Sequence, residues 1–338
     1  MSSKNRGIAC LGNMIVDVIK EIDRYPDPGN LASVLDVSYA TGGLVTNCLL
    51  DLAKMDPALP LRAVGLVGQD TYGFSILDAL NAVRVNTEHV GIHPDLPTSF
   101  TDVMSQREGE RSFFHCRGAN AAFGPEHIHL DELKADILHF GYILLLDALD
   151  APSPTHGTVL AEILEQARAM GFRTSVDVVS EQGGGFVRCV APALRHVDFC
   201  VINEVEASAV TGIACRNSYG RLRPKNMKLI CEVLRELGVH EWAVVHCPEG
   251  CFALGQEYVQ MPSLALPERE IMGKTGAGDA FCAGVLYAAH KGMDLRQALE
   301  LATAAAAASL THASASGGLR PVAQLHEMIE QYGFGVLD

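Results

Sequence analysis

The sequence predicts a doubly wound, mostly parallel α/β sheet flanked by helices, with a small β lid set apart from it. Short apolar runs alternate with amphipathic helical stretches along most of the chain, as repeated βαβ units require. The 338 residues combine 48% hydrophobic side chains and 32 glycines with only 6% aromatics. That balance suits a helix-wrapped parallel sheet with many tight turns. Two stretches, about residues 15 to 40 and 95 to 120, break the alternation and read as strand pairs.

In chain order, Gly7 to Leu11 is a buried first strand, and Asn13 to Ile19 continues extended toward the Pro- and Gly-rich piece Asp23 to Asn30. Alternation over Leu31 to Tyr39 predicts a strand with one exposed face. Gly42 and Gly43 open a helix through Asn47 to Lys54. Ala63 to Val67 is a strand closed by Gly68, and Tyr72 to Ala82 is a helix. Between Thr98 and Asn120 two strands flank a turn at Arg107 to Glu110, completing the lid. From residue 135 the alternation is regular: strand Ile137 to Phe140, helix Pro154 to Met170, strand Arg173 to Val178, helix Val187 to Leu194, strand Phe199 to Ile202. Helix Lys225 to Leu237 precedes strand Trp242 to His246. A hairpin, Cys251 to Leu254 with Tyr258 to Met261, precedes helices after Gly278 and Leu295. In such a sheet, ligands bind at the carboxyl ends of the strands.

Forty acidic against 26 basic residues give a net charge of −14, which disfavours nucleic acid and anionic membranes as partners. Ten scattered cysteines without CxxC pairs are expected as buried reduced thiols, placing the protein in a reducing cytoplasm. Met1 to Arg6 is short and polar, so no signal peptide is expected there. The apolar stretch Ala302 to Leu310 is far shorter than the roughly 20 residues that span a bilayer.

The strongest local pattern is Gly276-Ala277-Gly278-Asp279, where a loop enters a helix. Small residues let free backbone amides approach an anion, and the helix dipole adds about half a positive charge. Asp279 also suits a plain N-terminal acid of that helix. Gly273-Lys274-Thr275 invites a P-loop reading, but Glu268 stands where the first glycine of GxxxxGK[ST] is required. Gly42-Gly43-Leu44-Val45-Thr46-Asn47 is a second glycine-led helix start, where backbone passes close to a ligand and Asn47 offers donor and acceptor groups. Asp17 and Asn13 follow the first strand. Asn203 and Glu206 stand at a strand-to-helix junction; they fit a capping box and also offer hard oxygen ligands for Mg²⁺. His246, Cys247 and Cys251 lack a regularly spaced fourth ligand for zinc.

These motifs, in this order over residues 7 to about 330, resemble the ribokinase or PfkB carbohydrate kinase family. The resemblance implies a ribokinase-like fold and an ATP-dependent phosphotransferase acting on a hydroxyl of a sugar or sugar-like molecule. Gly276, Ala277 and Gly278 would form the anion hole, and Asp279 would be the general base. Asp17, Asn13, Gly42, Gly43 and Asn47 would bind the acceptor. Asn203, Glu206, Lys274, Thr275, His246 and Gly250 would face ATP, with Glu206 on Mg²⁺ through water. Asp177, with Ala304 to Ser309, Thr311, His312, Gly317 and Gly318, falls where the family lines the phosphate and adenine sides.

The family's usual acid and Thr are Gly273 and Lys274 here, so the resemblance leaves the monovalent cation open. Lys274 is then expected to supply positive charge near the phosphates. Leu44 replaces the lysine of ribose-specific members. The absence of an Arg or Lys cluster near Asp17 or Asn47 argues against a phosphorylated acceptor. A homodimer through the lid is implied by the resemblance. Two alternatives remain: a nucleoside kinase using Phe100, Phe113 or Phe114 as a shelf for the base, and a noncatalytic sugar or nucleotide sensor on the same fold.

Overall fold

The computed structural model describes residues 6–106, 111–180 and 184–337. In chain order the elements are β1 (Gly7–Gly12), β2 (Ile15–Ile22), β3 (Val34–Gly42), α1 (Leu44–Met55), β4 (Leu61–Gly68), α2 (Thr71–Ala82), β5 (Asn86–His93), β6 (Phe100–Ser105), β7 (Arg111–Cys116), α3 (Gly118–Ala121) and β8 (Ala135–Ile143). There follow β9 (Pro152–Ser153), β10 (Gly157–Thr158), α4 (Val159–Ala169), β11 (Arg173–Val178), α5 (Phe186–Leu194), β12 (Phe199–Asn203), α6 (Glu204–Thr211), α7 (Pro224–Glu236) and β13 (Trp242–Cys247). The chain closes with β14 (Gly250–Leu254), β15 (Tyr258–Pro262), α8 (Ala277–His290), α9 (Leu295–Leu310) and α10 (Val322–Tyr332).

The main sheet has nine strands in the order β15-β14-β13-β12-β11-β8-β1-β4-β5. The run from β13 to β5 is parallel, and β14 and β15 add an antiparallel edge. Its strands carry near-continuous apolar runs because both faces are covered. Residues of α1, α2, α8, α9 and α10 pack one face, and those of α4 to α7 pack the other. Strand order reverses at β1, which lies between β4 and β8. Such a switch point opens a crevice at the strands' carboxyl ends.

The stretches expected as a lid hold a second, four-stranded sheet in the order β3-β2-β6-β7. Its outer pairs are antiparallel, and β2 runs parallel to β6. The expected strand at Leu31 to Tyr39 begins at Val34, and Val34 to Tyr39 are exposed on both faces rather than one. This edge strand stands off the main body, so alternation has no core to face. The turn Arg107 to Glu110 and residues Met1 to Asn5 lie outside the described residues.

The helix expected from Pro154 begins at Val159. Residues 152–158 form a small antiparallel pair, β9 with β10. Gly157 has φ +86°, and the Thr158 hydroxyl accepts the Ala161 amide at 3.2 Å to start the helix. Among the described residues, no helix is long and apolar enough to cross a membrane.

The alanine run of α9 lets it lie against α8 with little side chain between them. A Cβ on Gly284 would fall 2.5 Å from the Ala302 Cα. Gly284→Ala must therefore push the two helices apart, and overpacking of this kind costs about 1–3 kcal/mol. Urea denaturation is expected to show that loss; an unchanged midpoint would mean that the contact has slack.

Candidate active site

The loop before α8 delivers Gly276 with φ +83° as the helix N-cap. A side chain there would also strike Ala315, whose carbonyl oxygen lies 2.4 Å from the position of a Cβ. Glycine is thus required both for the left-handed turn and for the close approach. No cap side chain accepts the first amides of α8, so they are left to an anion.

Asp279, in the first turn, is buried. Asn47 Nδ2 donates to its Oδ2 at 2.8 Å, and the Tyr142 hydroxyl donates to its Oδ1 at 2.5 Å. Burial raises the carboxyl to about 6, against these two bonds, which pull it down. The carboxylate form is thereby available near neutral pH.

The glycine pair that opens α1 makes room for polar neighbours. A Cβ on Gly42 would sit 2.6 Å from Asp17 Oδ2, and one on Gly43 would sit 2.6 Å from Asn13 Oδ1. Asn13 is held by main-chain bonds: its amide donates to Gly141 O at 2.7 Å, and its carbonyl accepts from Val45 N at 3.1 Å. Both polar atoms of its side chain are buried without a protein partner, as is Asn47 Oδ1. Buried polar groups normally find partners, and a polyol supplies both donors and acceptors. Burial and the nearby Asp279 charge push Asp17 up to about 6.

Beside Asp279 opens a cleft of about 300 Å³, whose lining includes Tyr142, Asp177, Ser180, Asn203, Glu206 and His246. Asn203 caps α6 through Val205 N (2.9 Å) and Glu206 N (3.0 Å), while Glu206 Oε2 accepts Asn203 N at 2.9 Å. The capping box is therefore real, and it also fixes Glu206 at the cleft. Ser180 and Asn203 both donate to Glu206 Oε1, at 2.8 and 2.6 Å. Burial raises Glu206 to about 7; burial and then the Glu206 charge raise Asp177 well above the usual range. Three buried carboxyl groups around one cleft suit a divalent cation.

His246 lines the same cleft, with its ring 5.0 Å from that of Phe281; burial lowers it to about 4, so it is neutral. Lys274 does not reach this cleft. It is exposed and lines a separate cavity of about 680 Å³ with Gly273 and, from the small sheet, Arg111, Glu21 and Asp36. Thr275 accepts a 3.1 Å bond from Arg111 Nη1. Gly250 opens β14, where a Cβ would meet Met261 O at 2.2 Å, and it does not line the cleft. A Cβ on Gly273 would lie 2.8 Å from His312 O, so an acid side chain there has little room. Gly317 is equally confined, since a Cβ would lie 2.1 Å from His312 Nδ1.

Sequence reasoning did not find Tyr142 or Ser180. Both stand at a strand's carboxyl end, which was the available signal: Tyr142 is the penultimate residue of β8, which runs past Phe140 to Ile143, and β11 ends two residues before Ser180.

The fold is that of ribokinase. The structure of Arabidopsis thaliana ribokinase complexed with ribose and ATP superposes with a TM-score of 0.79 at 22% identity, covering 96% of this chain and 99% of that one. The chain belongs to the PfkB carbohydrate kinase family, whose model, described as pfkB family carbohydrate kinase, matches residues 5–321. The ribokinase of Arabidopsis thaliana is 27% identical over 304 residues, 88% of this chain and 74% of that protein. The ribokinase of Bacillus subtilis is 26% identical over 331 residues, 96% of this chain and 99% of that one.

Proposed function

We propose that the protein transfers the γ-phosphoryl group of ATP to a hydroxyl of a neutral sugar or sugar-like acceptor. The observation that carries this reading is the Asn47 to Asp279 hydrogen bond, which joins the two glycine-led helix starts in one site. The acceptor lies against Asn13, Asp17 and Asn47. Asp279 takes the proton of the attacking hydroxyl, whose oxygen bonds to the γ-phosphorus as the bond to the bridging oxygen breaks. ADP leaves with that electron pair. The amides at 276–278 stabilise the charge of the transferred group.

Mg²⁺ would be held by Glu206 and Asp177, two buried carboxyl groups that line the cleft beside Asp279. When bound, it neutralises phosphate charge. A neutral acceptor is favoured because Asp17 and Asp279 together repel an anion. The name of one relative, ribokinase, and the ribose and ATP bound in its structure support a pentose-sized acceptor. Of the aromatic shelf candidates for a nucleoside, Phe100 packs on Tyr72 at 6.0 Å between ring centroids, and Phe113 and Phe114 are 66% and 60% exposed. Ten free thiols, eight of them buried, suit a reducing cytoplasm.

A coupled ADP-release assay over sugars, sugar acids and nucleosides tests the reading. Asp279→Asn is expected to lower turnover about 10²- to 10⁴-fold with the fold intact; near-normal turnover would remove Asp279 as the base. A base works deprotonated, so kcat/KM is expected to fall as pH drops through about 7 to 6, where Glu206 and then Asp279 take up protons. Tyr142→Phe removes a bond that lowers the Asp279 pKa, and should move that acid limb to higher pH.

The exposed apolar side chains Val34, Leu35, Val37, Tyr39, Phe113 and Phe114 on the small sheet's edge strands support a homodimer formed through it. Light scattering is expected to give twice the chain mass, and Val37→Asp with Phe114→Asp should give the monomer. A monomeric unsubstituted protein would exclude this interface.

A further inference from the structure

Beneath the cleft the main sheet carries a polar row that phosphoryl transfer does not use. Cys10 on β1 and Ser175 on β11 flank His139 on β8 in direct register. The row faces the core under α1 and α8, where Cys48 and Cys282 close over it. All five side chains are buried.

Asp177 stands two residues beyond Ser175 on the same strand, and it also lines the cleft. One ligating atom each from His139, Asp177 and Cys282 lies within 4.8 Å of the others. His139 Nε2 is 3.4 Å from Cys282 Sγ. Its Nδ1 is 3.0 Å from Ser175 Oγ, which fixes the ring and leaves Nε2 for a ligand. Asp177 Oδ1 accepts the Val178 amide at 2.7 Å, so the carboxylate too is oriented from behind.

An imidazole nitrogen, a thiol and a carboxylate, delivered by three separate elements into a dry interior, are the donor types zinc takes. A plain buried hydrogen-bond network would satisfy the imidazole with the thiol and the serine alone. Asp177 adds a carboxylate within ligating distance of both the imidazole and the thiol, a donor that neither the thiol nor the serine supplies.

We propose that His139, Asp177 and Cys282 form a binding site for a divalent cation of the zinc class, entered from the cleft past Asp177. Ser175 is its positioning residue, acting through His139. Binding displaces the Cys282 thiol proton to solvent, since the thiolate is the form that ligates a metal. Three protein ligands leave a fourth position for water. The site does not rest on the kinase reading, because its test measures binding rather than turnover.

The experiment titrates the full-length protein, metal-free, reduced and without nucleotide, with Zn²⁺ against a chromophoric chelator, and in parallel with Co²⁺ followed by absorption. One equivalent is expected, with a thiolate-to-cobalt charge-transfer band. Cys282→Ala and His139→Gln should abolish that band or weaken binding about 100-fold, and Ser175→Ala should weaken it about 10-fold. Circular dichroism checks that each variant is folded; should the ligand variants not fold, Ser175→Ala decides. The outer cleft lined by His89, His127 and His129 is the competing location, so His127→Gln with His129→Gln is the control and should change nothing. Absence of the thiolate band overturns the proposal. So does binding that survives in Cys282→Ala and is lost in the His127 and His129 variant, or that is unchanged in Ser175→Ala when that variant decides.

Discussion

Burial of the Asp279 carboxyl is the constraint on which the rest of the site depends. A carboxylate withdrawn from water rises in pKa, and without compensation it stays protonated at neutral pH. Three features act against that rise. Asn47 and Tyr142 each donate to one oxygen, and the N-terminus of α8 adds its partial positive charge. The balance sets the group at about 6, close to the range in which a base is both ionised and basic enough to accept a proton. Much of the surrounding architecture serves that balance: α1 must begin at Gly43 to aim Asn47, and α9 must be thin for α8 to sit where it does.

The second consequence is electrostatic. Asp17, Asp177, Glu206 and Asp279 all carry raised pKa values, and burial is the first cause in each. Their like charges add to it; Asp279 raises both Asp17 and Asp177. The cleft thus gathers Asp177, Glu206 and Asp279, with Asp17 close enough to feel the Asp279 charge. Arg216 stabilises one wall of this cleft from outside, bonding Glu249 at 2.6 and 2.8 Å and Glu204 at 2.9 Å. It thereby ties the start of α6, which holds Glu206, to the turn after β13, which holds His246.

How much of this was legible in the sequence follows from the range of each constraint. The glycines at 42, 43 and 276 announce helix starts that must approach something closely, and the structure supplies the neighbour in each case: Asp17, Asn13 and Ala315. The Asn203 and Glu206 pair was legible for the same reason, because a capping box is closed within four residues. Tyr142 was not, because its bond to Asp279 spans 137 positions and depends on where β8 ends relative to α8. Lys274 was assigned to the phosphates by proximity in sequence, and the structure sets it at the other cavity. It lies two residues before Gly276, where the backbone turns at φ +83°, and it lines that cavity together with Arg111.

That turn also explains how the small sheet communicates with the main one. Arg111 stands on β7, at the outer edge of the small sheet, and it bonds Thr275, the residue immediately before the N-cap glycine of α8. The same cavity that separates the two sheets is lined by opposite charges, Glu21 and Asp36 against Arg111 and Lys274. Narrowing it brings those charges together and excludes water, which strengthens their attraction. The Arg111 to Thr275 hydrogen bond and this charged cavity are thus the places where the small sheet meets the start of α8.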